Sequence, residues 1–137
     1  MDMKSTSGYC FSVVSGMISW CSRKQKSVAL CSAEAEYMAA NTTTCKTICL
    51  RKLLVSLFRQ RMEATSVYYD NHSFIKISEN PTFHDRSKHI DIRCHFIRDC
   101  VQHGAVQLQY VPTKVQVADI LTKALGRAKF IQFRACE

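Results

Sequence analysis

Proline and glycine are scarce, with two and four residues in 137. No stretch therefore reads as a flexible or proline-rich linker, and no low-complexity segment or internal repeat divides the chain. No apolar run approaches the ~18 residues a membrane helix needs, so no membrane partner is expected. The first nine residues carry no apolar signal core, so no export signal is read and an intracellular location is expected, the compartment being open. The eight cysteines include no C-x-x-C pair, which argues against a zinc knuckle or a dithiol redox motif. With no export signal, reduced thiols serving mostly as small core fillers are expected. His84, His89 and His95 do not fall at a zinc spacing.

What is present suits one domain. Hydrophobic residues make up 47% of the chain, enough for a packed core. Lys and Arg outnumber Asp and Glu by 19 to 11. Such a balance favours a polyanionic partner, because basic side chains attract phosphate over long range. Charge alone does not identify that partner.

The pattern along the chain alternates between strand and helix signals. Residues 9–20 are rich in strand formers and are interrupted by Ser15-Gly16, which reads as a bulge or bend. A basic turn leads to a short strand over 27–30, expected to pair with the first. Ser32 reads as the cap of a helix to about Phe58, with Glu34 and Glu36 in its first turn. A compact strand over 66–69 ends at Asp70-Asn71. A short helix over 72–78 follows, stopped by Asn80-Pro81. Residues 88–102 read as a helix with Ile90, Cys94, Ile97 and Val101 on one face. Asp91, His95, Arg98 and Gln102 share another face, and Gly104 ends the helix. A strand over 106–111 and a final helix over 115–125 complete a mixed α/β order.

Three acids stand where such an order can bring them together. Glu36 lies near a helix start, Asp70 at the end of a strand, and Asp119 near the start of the last helix. Oxygen ligands of this kind suit magnesium, and clustered carboxylates can hold two metal ions that activate water. Ordinary helix-start acids and an ordinary Asp-Asn turn are the alternative. Glu34 competes with Glu36, but two residues apart on a helix they point in different directions. Along 88–102, a basic face contacting nucleic acid through Lys88, Arg93 and Arg98 competes with simple packing of that segment.

The ordered motifs add a resemblance. Lys4-Ser5-Thr6-Ser7-Gly8-Tyr9, Ser32-Ala33-Glu34-Ala35-Glu36-Tyr37-Met38-Ala39 and Val67-Tyr68-Tyr69-Asp70-Asn71 come first. His84 to Arg93, then His95-Phe96-Ile97-Arg98, follow. Tyr110-Val111-Pro112-Thr113 and Ala118-Asp119-Ile120-Leu121-Thr122-Lys123 close the series. Together they resemble, over almost the whole chain, the ribonuclease H-like domain that ends the Pol polyprotein of copia-type retrotransposons. The resemblance implies a ribonuclease H-like mixed sheet with flanking helices. It implies Glu36, Asp70 and Asp119 as catalytic, metal-binding acids, with magnesium as cofactor and an RNA–DNA hybrid as substrate. It also implies a reverse transcriptase region of the same polyprotein as partner. The family's first metal-binding aspartate lies on a central strand upstream of KSTSGY. A single domain over 1–137 lacking that strand is therefore expected, with magnesium binding impaired and the chain inactive alone. Cys49 stands where the family commonly has Trp. A working nuclease completed by a longer product, a non-catalytic nucleic-acid binder and an inert remnant all fit these motifs.

Overall fold

The computed structural model describes residues 3–13, 16–79 and 88–135, with the backbone alone for Ile77 and residues 88–94. Strands β1 (Thr6–Val13) and β2 (Gly16–Lys24) form an antiparallel hairpin. Pairing runs from Thr6 with Lys24 to Val13 with Gly16, with a register shift between Phe11 and Ser12. The single strand expected over 9–20 is thus two, and the break before Gly16 is a reversal of direction. The strand expected over 27–30 is absent, because β2 already occupies the edge of β1 it was to use. Gln25 secures the exit from the hairpin instead. Its backbone N–H donates to the Ser5 carbonyl at 2.8 Å, and its side-chain amide donates to Ser7 Oγ and the Ala35 carbonyl, each at 2.8 Å.

Helix α1 (Ser32–Phe58) has the expected extent, but Cys31 holds the cap position, and Ser32 is the first helical residue. Glu34 receives the Leu30 N–H at 2.6 Å, satisfying a donor ahead of the helix. The threonines in its middle do not interrupt it. Thr42, Thr43, Thr44 and Thr47 each turn the hydroxyl back to the carbonyl four residues earlier, so their polar groups are satisfied within the helix. The helix ends at Arg59, whose φ of 51° is left-handed and whose N–H returns to Val55.

Strand β3 (Thr65–Tyr69), α2 (His72–Glu79), α3 (Lys88–Gln102) and β4 (Val106–Tyr110) follow, close to the expected bounds. β3 and β4 pair in parallel, from Thr65 with Val106 to Tyr69 with Tyr110, as a helical crossover requires. Gly104, at φ 70°, ends α3 as expected. The helix expected over 115–125 is replaced by two 3-10 turns, Thr113–Val115 and Val117–Leu121, and then α4 (Arg127–Arg134). Between the turns Gln116 is extended, its side chain donating to the Tyr68 carbonyl at 3.0 Å, which breaks helical continuity.

The core gathers Tyr37 and Ala40 of α1, Val67 of β3, Phe74 and Ile75 of α2, Ile97 of α3, and Val106 and Leu108 of β4. One face of the β3–β4 pair therefore packs on helices, and the other, bearing Tyr68 and Gln107, is exposed. Described cysteines are free and none is fully buried; Cys31, Cys45 and Cys49 are exposed, whereas half-buried Cys100 packs against the core, so few of them act as core fillers. Instead of one mixed sheet there are two, β1–β2 and β3–β4, and among the described residues no strand joins them. No helix among them is long and apolar enough to cross a membrane.

Tyr69 carries a cost inside this core. Its hydroxyl is enclosed without a hydrogen-bond partner. Burial pushes the phenol above its ordinary value of 10.0, with the nearby Thr44 hydroxyl opposing this weakly. A raised folded-state value means the contribution is intact below pH 10.0 and lost as pH rises beyond it. Tyr69→Phe should leave stability at pH 7 unchanged or raise it by about 1 kcal/mol, since it deletes an unsatisfied polar atom. It should also shift the onset of alkaline unfolding upward. Urea titrations at pH 7 and above pH 10 test this, and a loss of more than about 2 kcal/mol at pH 7 would refute it.

Candidate active-site cleft

A cleft of about 680 Å³ separates β1 from β3. Residues 6–12 of β1 form one wall, and residues 66–71 of β3 and its exit form the other. α1 supplies the floor, and the segment around Val115–Asp119 closes one side. Glu36, Asp70 and Asp119 all line it.

Each acid is placed by its own local structure. Glu36 is on the exposed first turns of α1, where its Oε2 accepts from the Asn71 side-chain amide at 2.7 Å. The oxygen of the same amide, Oδ1, accepts the Phe74 N–H at 3.1 Å. Asn71 thus ties Glu36 to the start of α2, and the Asp70-Asn71 pair acts as a joint between β3, α2 and α1. Glu34 is engaged with Leu30 and does not line the cleft, which distinguishes the two helix-start acids. Asp70 sits just beyond β3, its Oδ2 accepting from the Thr113 hydroxyl at 3.1 Å. Asp119 is buried, with Lys123 Nζ at 3.2 Å and Lys129 Nζ at 3.5 Å from Oδ2. Lys129 also donates to the Thr113 carbonyl at 3.0 Å. Asp70, Thr113, Lys129 and Asp119 are therefore linked in one polar chain, whose two ends, Asp70 and Asp119, line the cleft.

Gly8 sets the approach of the Asp119 segment to the hairpin. A Cβ there would stand 2.7 Å from Thr122 Cγ2 and 2.9 Å from Leu121 Cβ, so β1 needs glycine for this contact. The Ser22 hydroxyl donates to the Leu121 carbonyl from the neighbouring strand. Together they hold Val117–Leu121 against β1 and point Asp119 into the cleft.

The donor chemistry suits a hard cation, but the arrangement does not complete a site for one. Among the described residues no group of three or more His, Cys, Asp and Glu side chains is placed to hold a metal ion. Asp119 has ammonium groups as its counter-ions instead. The three acids share a cleft without forming a ligand cage.

The expected basic contacts separate. Arg98 is 6% exposed, so it is a packing residue of α3 and not part of a solvated face. Lys88 and Arg93 lie on α3, with their side chains outside the described residues, as is that of His89; His84 lies wholly outside them. His95 is exposed. Sequence reasoning missed Thr113, Gln116 and Lys129. Lys123 had a signal, since it follows Asp119 by four residues, whereas Lys129 reaches the acid only through α4.

Known proteins resemble this chain along nearly all of it. It is 42% identical over 129 residues to the retrovirus-related Pol polyprotein from transposon TNT 1-94 of Nicotiana tabacum, a match covering 94% of this chain and 10% of that protein. It is 41% identical over 132 residues to the corresponding polyproteins from transposons RE2 and RE1 of Arabidopsis thaliana, covering 96% of this chain and 9% of each. The chain spans about a tenth of the length of these relatives. No family model and no solved structure matches it. The similarity supports a retrotransposon-derived region related to part of a Pol polyprotein.

Proposed function

We propose that this Pol-related segment is the remnant of a ribonuclease H-type domain, which in complete form hydrolyses the RNA strand of an RNA–DNA hybrid with divalent metal, and that alone it is inactive. One observation carries the reading. Glu36, Asp70 and Asp119 come from three separate segments and line one cleft. They are also the three acids that the motif resemblance marks. The opening between β1 and β3 supports the second half of the proposal, since no strand among the described residues joins the two sheets, and the family resemblance implies an acid-bearing strand at that position. The chain's own residues supply the framework for that cleft. Asn71 orients Glu36, Thr113 orients Asp70, and Lys123 and Lys129 balance Asp119. Magnesium would need Asp119 released from its lysines and a further ligand, so no catalytic step is assigned to the arrangement as it stands. Within the longer polyprotein, a reverse transcriptase region is the natural partner for such a domain. The test is a cleavage assay on a defined hybrid, with and without an added aspartate-bearing strand.

A second reading, a nucleic-acid binder without catalysis, is favoured by the formal charge of +8 and by the lysines already neutralising Asp119. Such a protein should hold an RNA–DNA hybrid at low salt and lose about 10-fold or more in affinity between 50 and 200 mM salt, because phosphate contacts release counter-ions. Fluorescence anisotropy at the two concentrations measures this. No binding at either concentration would exclude the binder and leave an inert remnant.

A further inference from the structure

We propose that Cys45 of α1 and Cys100 of α3 form a thiol–disulfide modification site, at which a low-molecular-weight disulfide of the glutathione type converts the pair into a bond that staples the two helices together. Neither thiol lines the cleft that holds the acids, so the site stands or falls independently of any nuclease reading.

Three thiols gather along the seam between these helices. Cys45 and Cys49 stand one turn apart on α1, and both are exposed and free. α3 packs against α1. Cys100, near the end of α3, is half-buried and packs on the same core as Ile48, the neighbour of Cys49. The thiols also sense one another's charge. Burial pushes the Cys100 thiol above its ordinary value, and the Cys45 thiolate and Asp99 push it further. Burial raises the Cys45 thiol too, with Cys49 adding to it. Cys45 is thus the α1 thiol that Cys100 meets.

Helix geometry selects the pair. Residues four apart on a helix hold their Cβ atoms about 5–6 Å apart, whereas a disulfide needs them at about 3.5–4.5 Å. Cys45 and Cys49 therefore cannot join while α1 is intact. Packed helices, with axes ~8–10 Å apart, bring opposed Cα atoms into the ~4.4–6.8 Å range that a disulfide spans. The chemistry has two exchanges. The accessible Cys45 thiolate attacks one sulfur of the small disulfide, breaking its S–S bond and releasing one small thiolate. The Cys100 thiolate then attacks Cys45 Sγ in the mixed disulfide and expels the second. Two protein thiols are oxidised, one small disulfide is reduced to two thiols, and the two protons pass to those leaving groups. Cys49 has no resolving partner, so a mixed disulfide formed there persists. The closed loop from Cys45 to Cys100 encloses β3 and α2, so the staple restricts the unfolded chain.

The test treats the reduced full chain with oxidised glutathione, without denaturant and at mildly alkaline pH, where more of each thiol is ionised. Remaining thiols are alkylated, and the digest is mapped by mass spectrometry. A Cys45–Cys100 cross-linked peptide should dominate, with glutathione retained on Cys49. Cys100→Ser should abolish the cross-link and leave glutathione on Cys45. Cys45→Ser, at an exposed position, should also abolish it, whereas Cys49→Ser should keep it. The oxidised wild-type chain should unfold at a higher urea concentration than the reduced chain, and a reductant should reverse the gain. Cys100 joined mainly to a different cysteine, stable glutathione on Cys45 with Cys100 still reduced, or a cross-link formed only in urea would overturn the proposal. Cross-linking chiefly between chains, seen as a non-reducing dimer, would overturn it equally.

Discussion

Purified residues 1–137 should give no measurable magnesium-dependent cleavage of an RNA–DNA hybrid, and fusing an upstream strand that carries an aspartate should restore it. The argument is one of ligand count and placement. Magnesium keeps near-octahedral geometry and sheds water reluctantly, so it needs anchors that are already in position. Glu36, Asp70 and Asp119 share the cleft, but no three acidic or imidazole groups among the described residues are close enough to act together. Asp119 is also held by Lys123 and Lys129, which a metal ion must displace. A misplacement of ~1 Å can cost on the order of 100-fold in rate, and a missing ligand should cost more. In the restored protein Asp70→Asn should abolish cleavage again. The measurement is product formation on a labelled hybrid, with EDTA as the control. Robust cleavage by the short chain, lost on Asp70→Asn, would show that the three acids suffice and that the incomplete-site argument is wrong.

Local signals in the sequence were reliable where side-chain periodicity had one interpretation. α3 has the expected bounds because its apolar residues recur at helical spacing and Gly104 supplies a left-handed stop. β3 and β4 were legible as short strand-prone runs, though nothing local revealed that they pair in parallel. The failures have physical causes. Residues 9–20 read as one strand because both arms of the hairpin are strand-prone, and only the pairing of Val13 with Gly16 separates them. Residues 115–125 contain apolar residues at helical spacing, but Gln116 is drawn away to the Tyr68 carbonyl, so two 3-10 turns form. Spacing left Arg98 open between a basic face and packing of its segment, and it is buried because α3 is covered on more than one side by α1 and α2. The acids were found through the motif resemblance, and their shared cleft through the fold. Their lysine and threonine partners belong to contacts that no local spacing encodes.

Phe133→Ala should unfasten α4 and remove about 3–5 kcal/mol of local stability, the usual loss when a buried phenylalanine is truncated. α4 has eight residues, too few for a helix to persist in water on its own. Its anchor is Phe133, which is 1% exposed and among the largest fully buried side chains. The same ring lies 5.2 Å from Lys129 Nζ, so it also helps to place the ammonium group that faces Asp119 and the Thr113 carbonyl. Phe133 lies outside the main hydrophobic cluster around Ile97, and this predicts local opening in preference to global unfolding. The amides of Phe130 and Ala135, bonded to Gly126 and Ile131, should then exchange about 100-fold faster or more, while those of β3 and β4 remain protected. Lys129→Met separates anchoring from charge, since it keeps the stem and removes the ammonium. It should cost under about 1 kcal/mol, because Lys123 remains as a counter-ion and a partly exposed ion pair contributes little. Hydrogen exchange resolved by residue, alongside urea unfolding of both variants, distinguishes these outcomes. If Phe133→Ala leaves the α4 amides protected, the helix is held by something other than this ring, and its role in placing Lys129 must be abandoned.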